Sequence, residues 1–430
     1  MLKLFGNTIK LLKERTKKEI MLQKKISRLI NLINLISCIF LTVSSLYYTK
    51  FQQIGFYVFS ISYVLEIFVD KKWKNFQLDK AKIYYLGLLL FFLLIFIYHP
   101  FENSNKYFNL LVEYRLALFG FAIVGFFGVN KLYKVNYFAN AFILSSVLAM
   151  LYIICGVGVI DFITNPLRAD LVALFRNEHI NSHIVFNSYL NLSLVCSWYL
   201  IVYTKTKFNT LRIISYLFSS IFFIYFLIIS DGRIGVVLCA MILTSLCIYH
   251  LWKFNKLILS AFILIAPFIL WGIISNHKRM SRDEVFNDPR VFIWRAAEEV
   301  VKKQPIIGFG ASRAQEEFDA SLYIYETKEF RDSWKETKIM HCHNQFIQTY
   351  MEFGFIGIIL LLGLITGPII LTDPNRRLFA ILLLFVFVAQ FMTDIVITYQ
   401  GFPVIFGILT LVTIAIKKES SQPENAIEAL

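Results

Sequence analysis

The chain has 430 residues, 57% of them hydrophobic, with 43 Phe, 22 Tyr, a formal charge of +14 and a mean hydropathy of +0.62. A water-soluble domain of that length has nowhere to hide so much apolar surface. The positive charge is spread over many short segments instead of forming one patch, which excludes nucleic acid as a partner and leaves a membrane protein.

Lys and Arg crowd the first 28 residues, and a full-length apolar span follows with no small-residue cleavage site, so an uncleaved anchor is expected. Apolar runs of about 20 residues, the length that crosses about 30 Å of hydrocarbon, then recur along the chain. They lie at 29–48, 51–69, 83–99, 107–129, 135–160, 182–203, 211–230, 234–251, 257–275, 345–371, 377–398 and 401–416. Continuous apolar runs mean helices, because a helix satisfies its own backbone in lipid. The fourth run contains Glu113 and Arg115. An unpaired charge there is costly, so Arg115 is expected to snorkel or to pair with Glu113. The first five runs carry few polar residues and read as scaffold.

Basic residues recur at Lys71, Lys72 and Lys74, at Lys131 and Lys134, at Lys205 and Lys207, at Lys253 and Lys256, at Arg376 and Arg377, and at Lys417 and Lys418. These groups fall on alternate sides of the spans, which makes both termini cytoplasmic. The expected architecture is an all-α polytopic membrane protein of about 12 transmembrane helices with one large, partly helical outward loop. Its parts are a basic tail (1–28), a bundle of about nine spans (29–275), the loop (276–344), three final helices (345–416) and a second cytoplasmic tail (417–430). Five cysteines lie in spans, where a thiol acts as a small apolar group, and Cys342 stands alone outside, so no disulfide framework is expected.

On the outward side, Arg168, Asp170, Arg176, Glu178 and His179 cluster between the fifth and sixth spans. The next outward turn is Ser230-Asp231-Gly232-Arg233. The long loop balances twelve Lys/Arg against twelve Asp/Glu and reads as a folded unit. Asp288-Pro289 suits the start of a helix in which Val291, Trp294, Ala297 and Val301 recur at helical spacing, and Gln304-Pro305 stops it. Gly308-Phe309-Gly310 is a turn, and a second polar helix runs from Ala314 to about Tyr323. A further helix starts near His343. Asn344, Gln348 and Glu352 form a polar stripe on it, and Gly354 and Gly357 offer a close approach to another helix.

The loop ends in His341-Cys342-His343-Asn344, where chemistry is most readily placed. A general base needs an uncharged imidazole, and the positive end of a helix favours one and also attracts phosphate. The plain alternative for His343 is an interfacial helix-capping residue. His341 and His343 with His179 and His183 would make a weak metal set, but no Asp-X-Asp pair is present to hold a divalent ion on a diphosphate, so no metal and no cofactor are expected. Arg233, Arg290 and Arg176 supply guanidinium forks suited to phosphate, unless Arg233 only pairs with Asp231. Asp394, placed near the outer end of its span, would orient His343 or an arginine, or make a structural hydrogen bond. Fixed cations and an imidazole suit a membrane-anchored diphosphate leaving group.

His343-Asn344, Gln348 and Glu352-Phe353-Gly354-Phe355-Ile356-Gly357 resemble the His-Asn, Gln, Glu-X-Gly-X-X-Gly signature of the O-antigen ligase and polymerase superfamily. Asp288-Pro289-Arg290 with Trp294, then Pro305 to Gly310, is similar to the usual lead-in. Ser230 to Arg233 resembles the family's Ser-X-X-Arg turn, and His179 to Asn187 its His-rich entry to a middle span. The resemblance implies an inverting, metal-independent glycosyltransferase in the inner membrane with its site on the periplasmic face. The donor would be an undecaprenyl-diphosphate-linked glycan and the acceptor lipid A-core or another glycan. His343 would be the catalytic base and Arg233 and Arg176 diphosphate binders, with Arg290 added from its place in the loop and His341, Asn344, Glu352, Asp394 and His179 in support. A Thr-X-Asn ending seen in some ligases is absent after Gly357, where Ile358-Ile359-Leu360 stands. Ligase action is the first expectation. Polymerase action, protein O-glycosylation and a non-enzymatic transporter or flippase are the alternatives, although a transporter would be built from repeats with small loops.

Overall fold

The computed structural model describes residues 2–47, 49–75, 77–98, 106–130, 132–164, 183–204, 209–230, 233–275, 290–325, 341–398 and 401–420. These residues fold into helices joined by turns. In chain order the long ones are α1 (Leu2–Ser44), α2 (Thr49–Val69), α3 (Lys80–Tyr98), α4 (Lys106–Phe127), α5 (Val135–Val157), α6 (His183–Tyr203), α7 (Asn209–Ile229), α8 (Arg233–Phe254) and α9 (Lys256–Ser275). Then come α10 (Arg290–Lys303), α11 (Ala311–Tyr325), α12 (Gln345–Leu371), α13 (Arg377–Phe391) and α14 (Gly401–Ser420). All but α10 and α11 lie where a span was read from hydropathy. By length and composition, eight helices of the described residues can cross a membrane. The basic segment read as a tail is helical from Leu2 and continuous with the first span.

Neighbouring helices pack in pairs: α1 on α2, α3 on α4, α5 on α6. The bundle turns around α6. Its apolar window is 89% buried where that of α7 is 17% buried, so α6 is the axis and α7 faces outward. A polar seam keyed to α6 runs through this centre. Tyr189 donates to the Thr42 carbonyl of α1 at 2.7 Å, and Ser193 donates to the Phe142 carbonyl of α5 at 2.9 Å. These two hydroxyls satisfy themselves on backbone carbonyls, so they cost little inside an apolar bundle.

The first five spans are less plain than their sequence suggests. At one end, Glu66 is 1% exposed and pairs with Lys72 at 2.6 Å. Asn130 donates to Glu66 and to Asn34, and Tyr133 donates to Asn34 at 2.6 Å. Lys72 also caps the Gly128 carbonyl at the end of α4. The network joins Asn34 of α1, Glu66 of α2, Lys72 just past α2, and Asn130 and Tyr133 between α4 and α5, so it forms only when these segments meet.

Beyond the bundle, α10 and α11 pack on each other and on α12. Ile293, Ala296, Ala297 and Val300 of α10 meet Ala314, Phe318 and Leu322 of α11, and the same small core takes in Cys342, Met351 and Ile395. The helix ends at Lys303 before Pro305, as the sequence suggests, but of Val291, Trp294, Ala297 and Val301 only Ala297 is on the buried face; Val301 packs at its edge, and Val291 and Trp294 are exposed. The Asp288-Pro289 start signal lies outside the described residues.

Candidate active site

The turn that carries His343 is fixed from three directions. Asn344, in extended backbone, caps α12 by accepting from the Ile347 amide at 3.1 Å, the usual role of Asn before a helix. Its own amide donates to the Met392 carbonyl at 3.3 Å, and Gln345 accepts from the Ile397 amide at 3.0 Å. Both bonds reach the stretch that follows α13. From the other side, Trp294 of α10 donates its indole N–H to the Cys342 carbonyl at 2.9 Å.

Held this way, His343 has φ +48°, in the left-handed region that non-glycine residues avoid at a cost of roughly 1–2 kcal/mol. Such a conformation persists only where the surroundings over-determine it, and it recurs at functional sites. It sets Nδ1 of His343 3.4 Å from Oδ1 of Asp394, with the carboxylate 4% and the imidazole 23% exposed. That spacing is in the ion-pair range rather than that of a close hydrogen bond.

Asp394 does not sit within a span, as the hydropathy pattern suggests. The helix α13 ends at Phe391, and Asp394 lies in the turn beyond it, accepting from the Ile395 amide at 2.9 Å. The reason is local. Thr393 and Asp394 offer the backbone side-chain partners that compete with a helix, and Gln345 and Asn344 take up groups a longer helix would have used.

His341 is largely buried beside this pair. Burial pushes its pKa below the ordinary value of 6.5, the nearby His343 lowers it further, and Asp394 opposes both. Its Nδ1 makes no hydrogen bond among the described residues. Cys342 between the two histidines is fully buried, and burial drives its thiol pKa well up, so it is a packing group rather than a nucleophile. No cluster of three or more His, Cys, Asp or Glu side chains able to hold a metal ion occurs among the described residues.

The polar stripe of α12 runs inward from this turn. Gln348 donates to Oε1 of Glu352 at 2.9 Å, and Arg115 of α4 donates to Oε2 at 2.9 Å. Arg115 and Glu352 are both 0% exposed. This corrects the expectation that Arg115 snorkels or pairs with Glu113; its partner is across the bundle. A charge of each sign inside an apolar run was the available signal, but nothing in the sequence links runs 237 residues apart.

Gly354 breaks α12 with φ +59° and ψ −153°, a combination open essentially to glycine alone. The close approach expected there comes not from another helix but from the Pro305–Gly310 turn. Phe309 donates to the Met351 carbonyl at 2.9 Å, Gly310 to that of Glu352 at 2.8 Å, and Phe355 to that of Pro305 at 3.0 Å. A Cβ on Gly308 would sit 2.6 Å from the Phe353 and Gly354 amide nitrogens. The two glycine motifs read separately in the sequence are two halves of one backbone seam.

The other outward motifs meet each other on α6. Ser230 donates to Asn187 at 3.0 Å, and Asn191 to the Gly235 carbonyl at 3.1 Å, which ties the end of α7 and the start of α8 to the start of α6. At the far end of α6, Tyr203 donates to the Asn375 carbonyl at 3.0 Å and Arg376 to Tyr199 at 3.0 Å. Helices α6 and α13 are therefore antiparallel neighbours, and Ser230 and the start of α8 lie at the same end of the bundle as Asp394 and His343. Arg290 opens α10 one turn before Trp294, and residues four apart share a helix face. The side chain of Arg233, and Arg176 and His179 entirely, lie outside the described residues.

A polytopic helical protein with a strained histidine over a buried carboxylate at one end of its bundle is thus the class in hand. A family model described as O-antigen ligase matches residues 218–362, the stretch that holds the Ser230–Arg233 turn, α10, the Pro305–Gly310 seam and the His343 turn. Over that stretch the chain is similar to the O-antigen ligase family, which supports a membrane glycosyltransferase of the ligase and polymerase type. No curated protein matches the chain.

Proposed function

We propose that the protein transfers a glycan from undecaprenyl diphosphate to a sugar hydroxyl of lipid A-core, on the periplasmic face of the inner membrane, with inversion and without a metal. It crosses the membrane about twelve times, with both termini in the cytoplasm. The observation that carries this reading is the His343–Asp394 pair, held on a strained turn at the mouth of the bundle.

In this mechanism the acceptor hydroxyl attacks the anomeric carbon, forming the new C–O bond as the bond to the diphosphate oxygen breaks. The hydroxyl proton passes to the imidazole of His343. Asp394 orients the ring through Nδ1 and stabilises the imidazolium, leaving Nε2 to take the proton. The electron pair departs with the diphosphate, whose charge the guanidinium forks of Arg233, Arg290 and Arg176 receive. Asn344, His341 and Glu352 keep the turn in place, and His179, four residues before α6 in the sequence, is a further supporting residue.

Glycan profiling of a deletion strain complemented with His343→Ala tests it. The expected result is membrane-inserted protein, no transfer and accumulating lipid-linked polymer. Single repeat units on the core would instead make the protein a polymerase. Normal transfer by the variant would remove the base assignment. Activity that EDTA abolishes and a divalent ion restores would remove the metal-independent one.

A further inference from the structure

The buried ion pair of Arg115 and Glu352 touches none of the reacting groups just described, and Arg115 has no assigned role. Two charges at 0% exposure in the apolar part of the bundle are expensive to desolvate, and such a pair adds little stability over apolar side chains of similar size. Its polar connections run in one direction. Nε and Nη1 of Arg115 make no hydrogen bond among the described residues, so the guanidinium is tied to the bundle through Glu352. The second oxygen of Glu352 accepts from the Gln348 amide nitrogen.

That contact decides which way the Gln348 amide faces. A carboxylate accepts and does not donate, so the nitrogen must point at Glu352 and the oxygen must point away. The oxygen lies 3.3 Å from Sγ of Cys342, which is also 3.1 Å from the Asn344 carbonyl. Cys342 is the residue between His341 and His343, and its carbonyl is the one Trp294 holds. The backbone carbonyl of Glu352, in turn, accepts from Gly310 in the seam at the helix break. One buried residue, Glu352, therefore joins α4 and the histidine turn through its carboxylate and the seam through its backbone carbonyl.

We infer that Arg115 is a positioning residue: through Glu352, Gln348 and Cys342 it fixes the turn that sets His343 against Asp394. It touches no substrate. The inference rests on the reading of His343 as the base, and it adds a residue of α4, outside the matched domain, to the apparatus that places it.

The test uses the full chain in membranes, with the five other cysteines replaced by Ala, so that a membrane-impermeant maleimide reports on Cys342. Two variants cut the connection without stranding a charge. Arg115→Met with Glu352→Met removes both ions, and Gln348→Met removes the amide between them. Cys342, buried in the parent, is expected to become labelled in both variants. Turnover is expected to fall by about 10²-fold, the scale set by a misplacement of about 1 Å, with the KM for the lipid-linked donor little changed. Arg115→Lys, which keeps a charge on Glu352, is expected to recover part of the turnover. Unlabelled Cys342 together with parental turnover in both variants would overturn the inference and leave the pair a packing feature. Should His343→Ala remain active while labelling still changes, the base assignment fails and the connection to the turn stands.

Discussion

Gly354→Ala puts a single methyl group into the seam between the outer segment and α12. Its Cβ would stand 2.3 Å from the Ile306 carbonyl oxygen and 2.4 Å from the Ile306 carbonyl carbon. These are backbone atoms and cannot swing aside as a side-chain tip can. Alanine also resists the φ of +59° and ψ of −153° that the break requires. The cheapest response is for the Pro305–Gly310 turn to leave. Three inter-segment backbone hydrogen bonds go with it, worth about 3 kcal/mol at about 1 kcal/mol each. Alanine in a straightened helix returns about 1 kcal/mol relative to glycine, so the seam loses about 2 kcal/mol before any packing loss. Gly363→Ala is the control, since nothing lies within 4 Å of its Cβ position, and it is expected to be neutral or mildly stabilising. Thermal inactivation in detergent, with limited proteolysis of the outer segment, measures both. Gly354→Ala should inactivate earlier, release the outer segment to protease and lose transfer. If it matches Gly363→Ala in midpoint and cleavage, the seam does not hold the outer segment and the reasoning fails.

Asp394→Asn removes the carboxylate that faces Nδ1 of His343 and is expected to cut turnover by about 10²-fold through a misplaced ring; parental turnover would show that Asp394 only caps its own turn. Arg233→Lys keeps the charge but loses the fork, so transfer should fall steeply at parental protein levels, and an unchanged rate would make Arg233 structural. His341 has its folded pKa pushed below 6.5 by burial, so the unfolded chain takes up a proton that the folded chain resists. The stability this neutral ring contributes is present above the unfolded pKa of about 6.5 and is lost as pH falls from there through the folded value. Unfolding in detergent should therefore come earlier at pH 5.5 than at pH 7.5, with a shallower dependence in His341→Gln; identical slopes would refute it.

Hydropathy located the helices because a membrane span must be long and apolar whatever it packs against. The loop helices were legible for the same local reason, with Pro305 as a stop, but the face was misjudged: Ile293, Ala296, Ala297 and Val300 are buried, and Val291 and Trp294 are exposed. The stripe of Asn344, Gln348 and Glu352 was also readable, as were the glycines at 308, 310 and 354. What hydropathy could not supply was pairing. Arg115 finds Glu352, Ser230 finds Asn187 and the Pro305–Gly310 turn finds Gly354 through tertiary packing, which leaves no periodic trace. Asp394 was placed inside a helix because its neighbours are apolar; it lies outside because the start of α12 takes over the backbone groups that would have extended α13. Arg176 and His179 remain expectations from sequence.

The seam at Gly354 has a bearing on how such proteins can be recombined. Its contacts are main-chain amides and carbonyls, which every parent supplies alike. A chimera that borrows α10 and α11 from a relative should therefore join even when the crossover falls inside the seam, provided that both parents carry glycine at positions 308 and 354, where a Cβ would meet backbone.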